Sequence, residues 1–71
     1  MQESANKETV RGIVEEALPN ALFRVDVEDG TKVLAYLAGK MRIHRIKVLV
    51  GDTVLLHLDP YGGRARITRR V

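Results

Sequence analysis

Leu22-Phe23-Arg24-Val25-Asp26-Val27-Glu28-Asp29-Gly30-Thr31-Lys32-Val33-Leu34-Ala35-Tyr36-Leu37 is the stretch on which the fold turns. Phe23, Val25 and Val27 alternate with Arg24 and Asp26, the period of two that marks a half-buried strand. Val33, Ala35 and Leu37 repeat the pattern, with Tyr36 in the outward register. Between the two runs, Glu28-Asp29-Gly30-Thr31 carries an Asp-Gly pair, which supplies the positive φ values of a hairpin connection. A hairpin with one apolar face must close over a core supplied by the rest of the chain.

Upstream, Thr9 to Ala17 reads as a strand whose end is weakened by Glu15 and Glu16, and Leu18-Pro19-Asn20-Ala21 as a turn. Proline presets φ there and asparagine tolerates left-handed geometry. Downstream, Gly39 breaks the third strand, and Lys40-Met41-Arg42-Ile43-His44-Arg45-Ile46-Lys47-Val48-Leu49 shifts toward helical spacing. On an ideal helix Ile43, Ile46 and Val50 share one face, with Met41 opposite it. Lys40, His44 and Lys47 flank that face on one side, Arg42 and Arg45 on the other. The length allows a short helix and an extended exit. After the turn Val50-Gly51-Asp52, Thr53 to Leu58 is a strand with Val54, Leu56 and Leu58 inward. Asp59-Pro60-Tyr61-Gly62-Gly63 is a flexible loop. Arg64 to Arg70 is a last strand, with Ala65 and Ile67 inward and Arg64, Arg66, Thr68 and Arg70 outward.

Five short strands are too few for two packed sheets, and closure into a barrel removes most exposed edges. The expected fold is all-β: a five-stranded antiparallel OB-fold barrel with a short helix between strands 3 and 4. An SH3-like barrel is the rival, though it usually lacks a helix at that position. Residues 1–8 read as a disordered N-terminal tail and 9–71 as one RNA-binding domain.

The chain has 71 residues and a net charge of +3, unevenly placed. Residues 1–39 hold four basic residues against seven acids, a balance of −3. Residues 40–71 hold eight against Asp52 and Asp59, a balance of +6. The second half is the electropositive side, and polyanions are its expected partners. There is no cysteine for a disulfide or thiolate metal site, and His44 and His57 make a poor metal set. No apolar run approaches the roughly 20 residues that span a bilayer. The polar, acidic start lacks the features of a secretory signal. A soluble, cytoplasmic protein with no cofactor is expected. Enzymatic readings fail on inventory. The only serine is Ser4, the acids alternate outward near turns, and no glycine-rich phosphate loop precedes a helix.

The candidate RNA-binding residues are the cations of the insert, Lys40, Arg42, Arg45 and Lys47, and those of the last strand, Arg64, Arg66, Arg69 and Arg70. Each phosphate that such a cation neutralises releases counterions and steepens the salt dependence. The bland alternatives are a solvated helix face and an edge strand charged against aggregation. Tyr36, His44 and Tyr61 are candidate stacking or polar contacts; Phe23 sits in the inward register and reads as core. His57, in the outward register of the fourth strand, has no partner legible in the sequence. Scarce aromatics favour a folded RNA read by shape and backbone over a generic single-strand binder.

Leu18-Pro19-Asn20-Ala21-Leu22-Phe23-Arg24-Val25, Gly39-Lys40-Met41-Arg42, Gly51-Asp52, Pro60-Tyr61 and Arg66-Ile67, in collinear spacing from about Thr9 to Arg70, closely resemble bacterial translation initiation factor one. The resemblance implies an OB-fold of the cold-shock type and no enzymatic activity. It implies binding as a monomer to the small (30S) ribosomal subunit at the A site, between the decoding region of 16S rRNA and a neighbouring ribosomal protein. There such a factor blocks premature tRNA entry and cooperates with the other two initiation factors. By the same resemblance Lys40, Arg42, Lys47, Arg64 and Arg66 face rRNA. The chain departs from the family's pattern at Arg45 and Arg69, where an aromatic is usual, and at Ile43, where many members carry a basic residue. The alternative reading is a general single-stranded RNA-binding chaperone like the cold-shock proteins; a protein-interaction barrel with no RNA role is a further rival.

Overall fold

A computed structural model describes residues 9–71, so the tail expected at residues 1–8 lies outside the described residues. The strands are β1 (Thr9–Leu18), β2 (Leu22–Val27), β3 (Lys32–Leu37), β4 (Thr53–His57) and β5 (Ala65–Arg70). The helix α1 (Gly39–Ile43) falls between β3 and β4, and one turn of 3-10 helix (Pro19–Ala21) joins β1 to β2. The strands close into a barrel in the order β1-β2-β3-β5-β4. This is the OB-fold expected from the element order. The expected antiparallel pairing holds at every seam except β3–β5, which is parallel, with Ala35 opposite Ala65 and Leu37 opposite Ile67. The exception is required by closure: β5 can complete the ring only by lying between β3 and β4, and it is already antiparallel to β4.

Alternation did its expected work. Phe23, Val25 and Val27 of β2 are buried, as are Ala35, Val54, Leu56, Ala65 and Ile67. Val33, Leu37 and Leu58 pack against them, partly buried. At the β2–β3 connection only Gly30 takes a positive φ (91°), while Asp29 accepts the Thr31 N–H at 2.8 Å. The hairpin therefore closes through a single left-handed residue and an aspartate side-chain cap, not through two left-handed residues as the Asp-Gly pair suggested. At the β1–β2 connection Asn20 is left-handed as expected, and Ala21 joins it at φ 59° without any signal in its residue type.

The helix departs furthest from expectation. The predicted apolar face of Ile43, Ile46 and Val50 does not form: Ile43 is 78% and Val50 60% exposed. Met41, expected opposite that face, is instead 1% exposed and among the largest fully buried side chains. The reason is the helix's length. Five residues make barely more than one turn, so a face built on longer spacing has no helix to sit on. Met41 is the inward side chain of that turn, and Val48 is the next buried anchor after the chain reverses.

Gly12 in β1 is buried, and a Cβ placed there would lie 2.5 Å from Val25 Cγ1 and 3.1 Å from the Asp26 carbonyl oxygen. β1 and β2 close together only because this side chain is missing. Among the described residues no helix is long and apolar enough to cross a membrane.

Substitutions at three positions test this account of stability. Met41→Ala is expected to lower the unfolding free energy by about 2–5 kcal/mol, and Met41→Leu by less than about 1.5 kcal/mol, both read from urea midpoints. Gly12→Ala should cost about 1–3 kcal/mol by overpacking against Val25. The Thr31 N–H holds the Asp29 carboxyl below its ordinary value. Its contribution is thus present above the unfolded carboxylate pKa and lost as pH falls through the lower folded one. Asp29→Asn should flatten the acid limb of the stability profile in that window.

Candidate nucleic-acid interface

The acids decide which cations are free. On the outer surface of β1, β2 and β3, Arg24 pairs with Glu16 directly opposite it. Lys32 pairs with Glu15 at 2.8 Å and approaches Asp26 at 3.7 Å. The Glu15 hydrogen bond holds the Lys32 ammonium above its ordinary value. A bulge between Val14 and Glu16 brings both glutamates to these cations. The two acids of the basic half serve backbone instead. Asp52 accepts the Leu49 N–H at 2.8 Å. Asp59 accepts those of Tyr61 at 2.9 Å and Gly63 at 3.0 Å. Among the described residues, none of Lys40, Arg42, Arg45, Lys47, Arg64, Arg66, Arg69 and Arg70 forms an ion pair, and all eight are exposed.

The topology brings these eight to β5 and the segment tied to it. The insert leaves β3 at Ala38, whose N–H donates to Ile67 of β5 at 2.8 Å. α1 then starts with the N–H groups of Met41 and Arg42 on the Ala38 carbonyl. It ends where Arg45 donates to Arg42 at 3.1 Å and Ile46 to Met41 at 2.9 Å, with Arg45 left-handed at φ 53°. This is the paired-bond stop usually built on glycine, completed by the apolar pairing of positions 41 and 46. It turns the chain so that Lys47 follows α1 back toward β5. There Arg70 Nη1 donates to the Lys47 carbonyl oxygen at 2.8 Å.

β5 itself carries two groups of arginines. The outward ladder expected of Arg64, Arg66, Thr68 and Arg70 is broken by a register shift between Leu55 and Leu56. It places Arg69 opposite half-buried Leu55 and Arg70 opposite buried Val54. Without the shift, Arg69 would share the inward parity of Ala65 and Ile67; the extra residue delivers it outward. Arg69 and Arg70 therefore join the insert's cations at one end of β5, while Arg64 and Arg66 stand at the other. At that end Arg66 is flanked by Tyr36 of β3 and His57 of β4. His57, whose partner is not legible in the sequence, lies 3.4 Å from Thr9 Oγ1.

The candidate contacts separate. Tyr36 lies beside Arg66 and is 40% exposed; Tyr61 is 95% exposed at the tip of the Asp59–Gly63 loop. His44 is exposed at the C-terminal end of α1, where its N–H donates to the Lys40 carbonyl. Ile43, exposed at 78%, and Leu49, at 56%, put apolar surface among the insert's cations, where the sequence pattern pointed Ile43 to the core. Among the described residues no group of three or more His, Cys, Asp or Glu is placed to hold a metal ion.

A family model described as translation initiation factor 1A / IF-1 matches residues 1–71. The solution structure of translation initiation factor one from the Wolbachia endosymbiont strain TRS of Brugia malayi is similar, with a TM-score of 0.74 and 31% identity. The match covers 99% of this chain and 86% of that one. The crystal structure of YjeQ from Thermotoga maritima is also similar, with a TM-score of 0.74 and 30% identity. There the match covers 89% of this chain but only 22% of the other, so the chain corresponds to about a fifth of that protein.

Arg45 sets a charge on a backbone position that favours glycine. Arg45→Gly is expected to raise stability by about 1 kcal/mol, the lower end of the left-handed penalty. The same change should weaken RNA binding and reduce the slope of log K against log salt by about 0.7–0.9. A substitution that left the salt slope intact would remove Arg45 from the interface.

Proposed function

Because the chain belongs to the translation initiation factor 1A / IF-1 family, a family of non-enzymatic RNA-binding factors, we propose that it acts in initiation by docking on the small ribosomal subunit at the A site. The barrel binds as a preformed body to the decoding region of the rRNA, beside a ribosomal protein, and blocks premature tRNA entry by occupying the space. It works with the other two initiation factors in the cytoplasm. The observation that carries the reading is electrostatic: eight exposed cations converge on β5 and the segment tied to it, while every described acid of that half is engaged with backbone N–H groups. Such a surface offers phosphates a set of unpaired charges whose positions are set by the barrel. Binding there costs little reorganisation.

The insert supplies Lys40, Arg42, Arg45 and Lys47, and Met41 and Val48 hold it to the core. Arg69 and Arg70 extend the same charged end, and Arg64 and Arg66 provide a second group of contacts along β5. A rigid arrangement of this kind suits an RNA whose backbone is itself folded, since phosphate spacing is then fixed on both sides.

Sedimentation with purified small subunits, with and without the other two factors, tests the reading. Lys40→Ala combined with Arg42→Ala should weaken binding by about 1–3 kcal/mol, the scale of charged hydrogen bonds. Footprinting should protect the decoding region in the parent complex and lose that protection in the variant. Unchanged affinity of the double variant, or protection elsewhere on the subunit, overturns the assignment.

A further inference from the structure

Asp29-Gly30 is the one place in the chain where an aspartate or asparagine is followed by glycine. Asp26, Asp52 and Asp59 precede Val27, Thr53 and Pro60, and Asn6 and Asn20 precede Lys7 and Ala21. Along any chain, the side-chain carboxyl carbon of an aspartate can reach the amide nitrogen of the next residue and close a cyclic imide with it. A side chain on that next residue crowds the nitrogen, and proline has no N–H to lose. Glycine leaves the approach open. In the folded chain both reacting groups are occupied. The Gly30 N–H donates to the Val27 carbonyl oxygen at 2.8 Å, and Asp29 Oδ1 accepts the Thr31 N–H at 2.8 Å. The Val27 N–H donates in turn to the Thr31 carbonyl oxygen at 2.8 Å, which fixes the loop between them. The Thr31 N–H also holds the Asp29 carboxyl below its ordinary value and so keeps it ionised. A carboxylate is a poor electrophile, because it has no hydroxyl to release as water. Both residues are exposed, so hydrogen bonding protects them and burial does not.

We propose that Asp29 is a latent modification site: succinimide and then isoaspartate form there once the chain unfolds, and the β2–β3 hairpin suppresses both in the folded barrel. In the first step the Gly30 nitrogen bonds to Asp29 Cγ, and its proton leaves with the carboxyl hydroxyl as water. In the second, water adds to the Asp29 main-chain carbonyl carbon, and the bond from that carbon to the Gly30 nitrogen breaks. The chain then runs through Asp29 Cβ and Cγ, and the former main-chain carbonyl is left as a free carboxylate. One water leaves and one returns, so the mass is unchanged and no oxidant or cofactor is consumed. The product has an extra backbone atom between Val27 and Thr31, whose hydrogen bond closes the hairpin. The pairs beyond it, Val25 with Val33 and Phe23 with Ala35, take their register from that loop. Unfolding therefore marks the chain, and a marked chain does not rebuild the barrel. The site is independent of the RNA-docking role.

The test incubates the full chain in mildly acidic buffer, folded in one arm and unfolded in guanidinium chloride in the other. Isoaspartate is then counted in the tryptic peptide spanning residues 25–32, by enzymatic methylation of the new carboxylate and by electron-capture fragmentation. The unfolded arm should gain isoaspartate at position 29 at least about tenfold faster, the ratio set by a hairpin opening of ~1.4 kcal/mol. Within the unfolded arm, Gly30→Ala should slow the gain and Asp29→Glu should abolish it. Neither variant has to fold for that comparison. After removal of the denaturant, chains carrying isoaspartate should fail to regain the parent's unfolding midpoint, while unmodified chains from the same sample regain it. Equal rates in the two arms overturn the protection by the hairpin. An unfolded Gly30→Ala variant that reacts as fast as the parent, or modification centred on Asp26 of the same peptide, overturns the assignment to Asp29. A modified chain that refolds with the parent's midpoint overturns the claim that the mark is disabling.

Discussion

The parallel seam between β3 and β5 is the constraint on which the rest of the molecule depends. Parallel neighbours cannot be joined by a tight turn; they need a long crossover. Here the crossover runs from Ala38 to Arg64 and carries α1 and β4 within it. β4 then closes the ring against β1 and β5. The basic insert is thus the obligatory route out of β3, and it starts with Ala38 bonded to Ile67 of β5. Met41 and Val48 turn that route into part of the core. Closure of the barrel and placement of the cations are one event.

Charge is sorted by the same closure. Glu15 and Glu16 of β1 and Asp26 of β2 lie on the outer face next to Arg24 and Lys32 and are engaged there. Exposed pairs of this kind add little to stability. Their effect is to keep carboxylates away from the other side. Asp52 and Asp59, the acids of the second half, cap loop N–H groups and so hold the ends of the insert and of the Asp59–Gly63 loop in shape. The uneven charge of the sequence becomes a charged surface because both acids of the basic half, Asp52 and Asp59, are taken up by loop N–H groups.

Two local irregularities refine that surface. Arg45 occupies a left-handed position at the end of α1, a conformation that costs an L-residue energy. The register shift in the β4–β5 pairing moves Arg69 outward and Arg70 to the rim, where Arg70 bonds to the Lys47 carbonyl. Both disturb regular structure and both deliver a guanidinium to the same end of β5. Strain and bulges concentrate where side chains must be aimed.

By itself the sequence determined the five strands, the inward set from Phe23 to Ile67, the turns at Asn20 and Gly30, and which half of the chain is basic. Each of these is a local property: alternation, turn chemistry and charge are written in neighbouring residues. The burial of Met41, the exposure of Ile43, the outward turn of Arg69 and the row of Tyr36, Arg66 and His57 were decided only by tertiary structure. A helix of one turn has too few residues to show a period, so its buried side is set by what it lands on. A register shift depends on the partner strand, and residues 36, 57 and 66 become neighbours only when the ring closes.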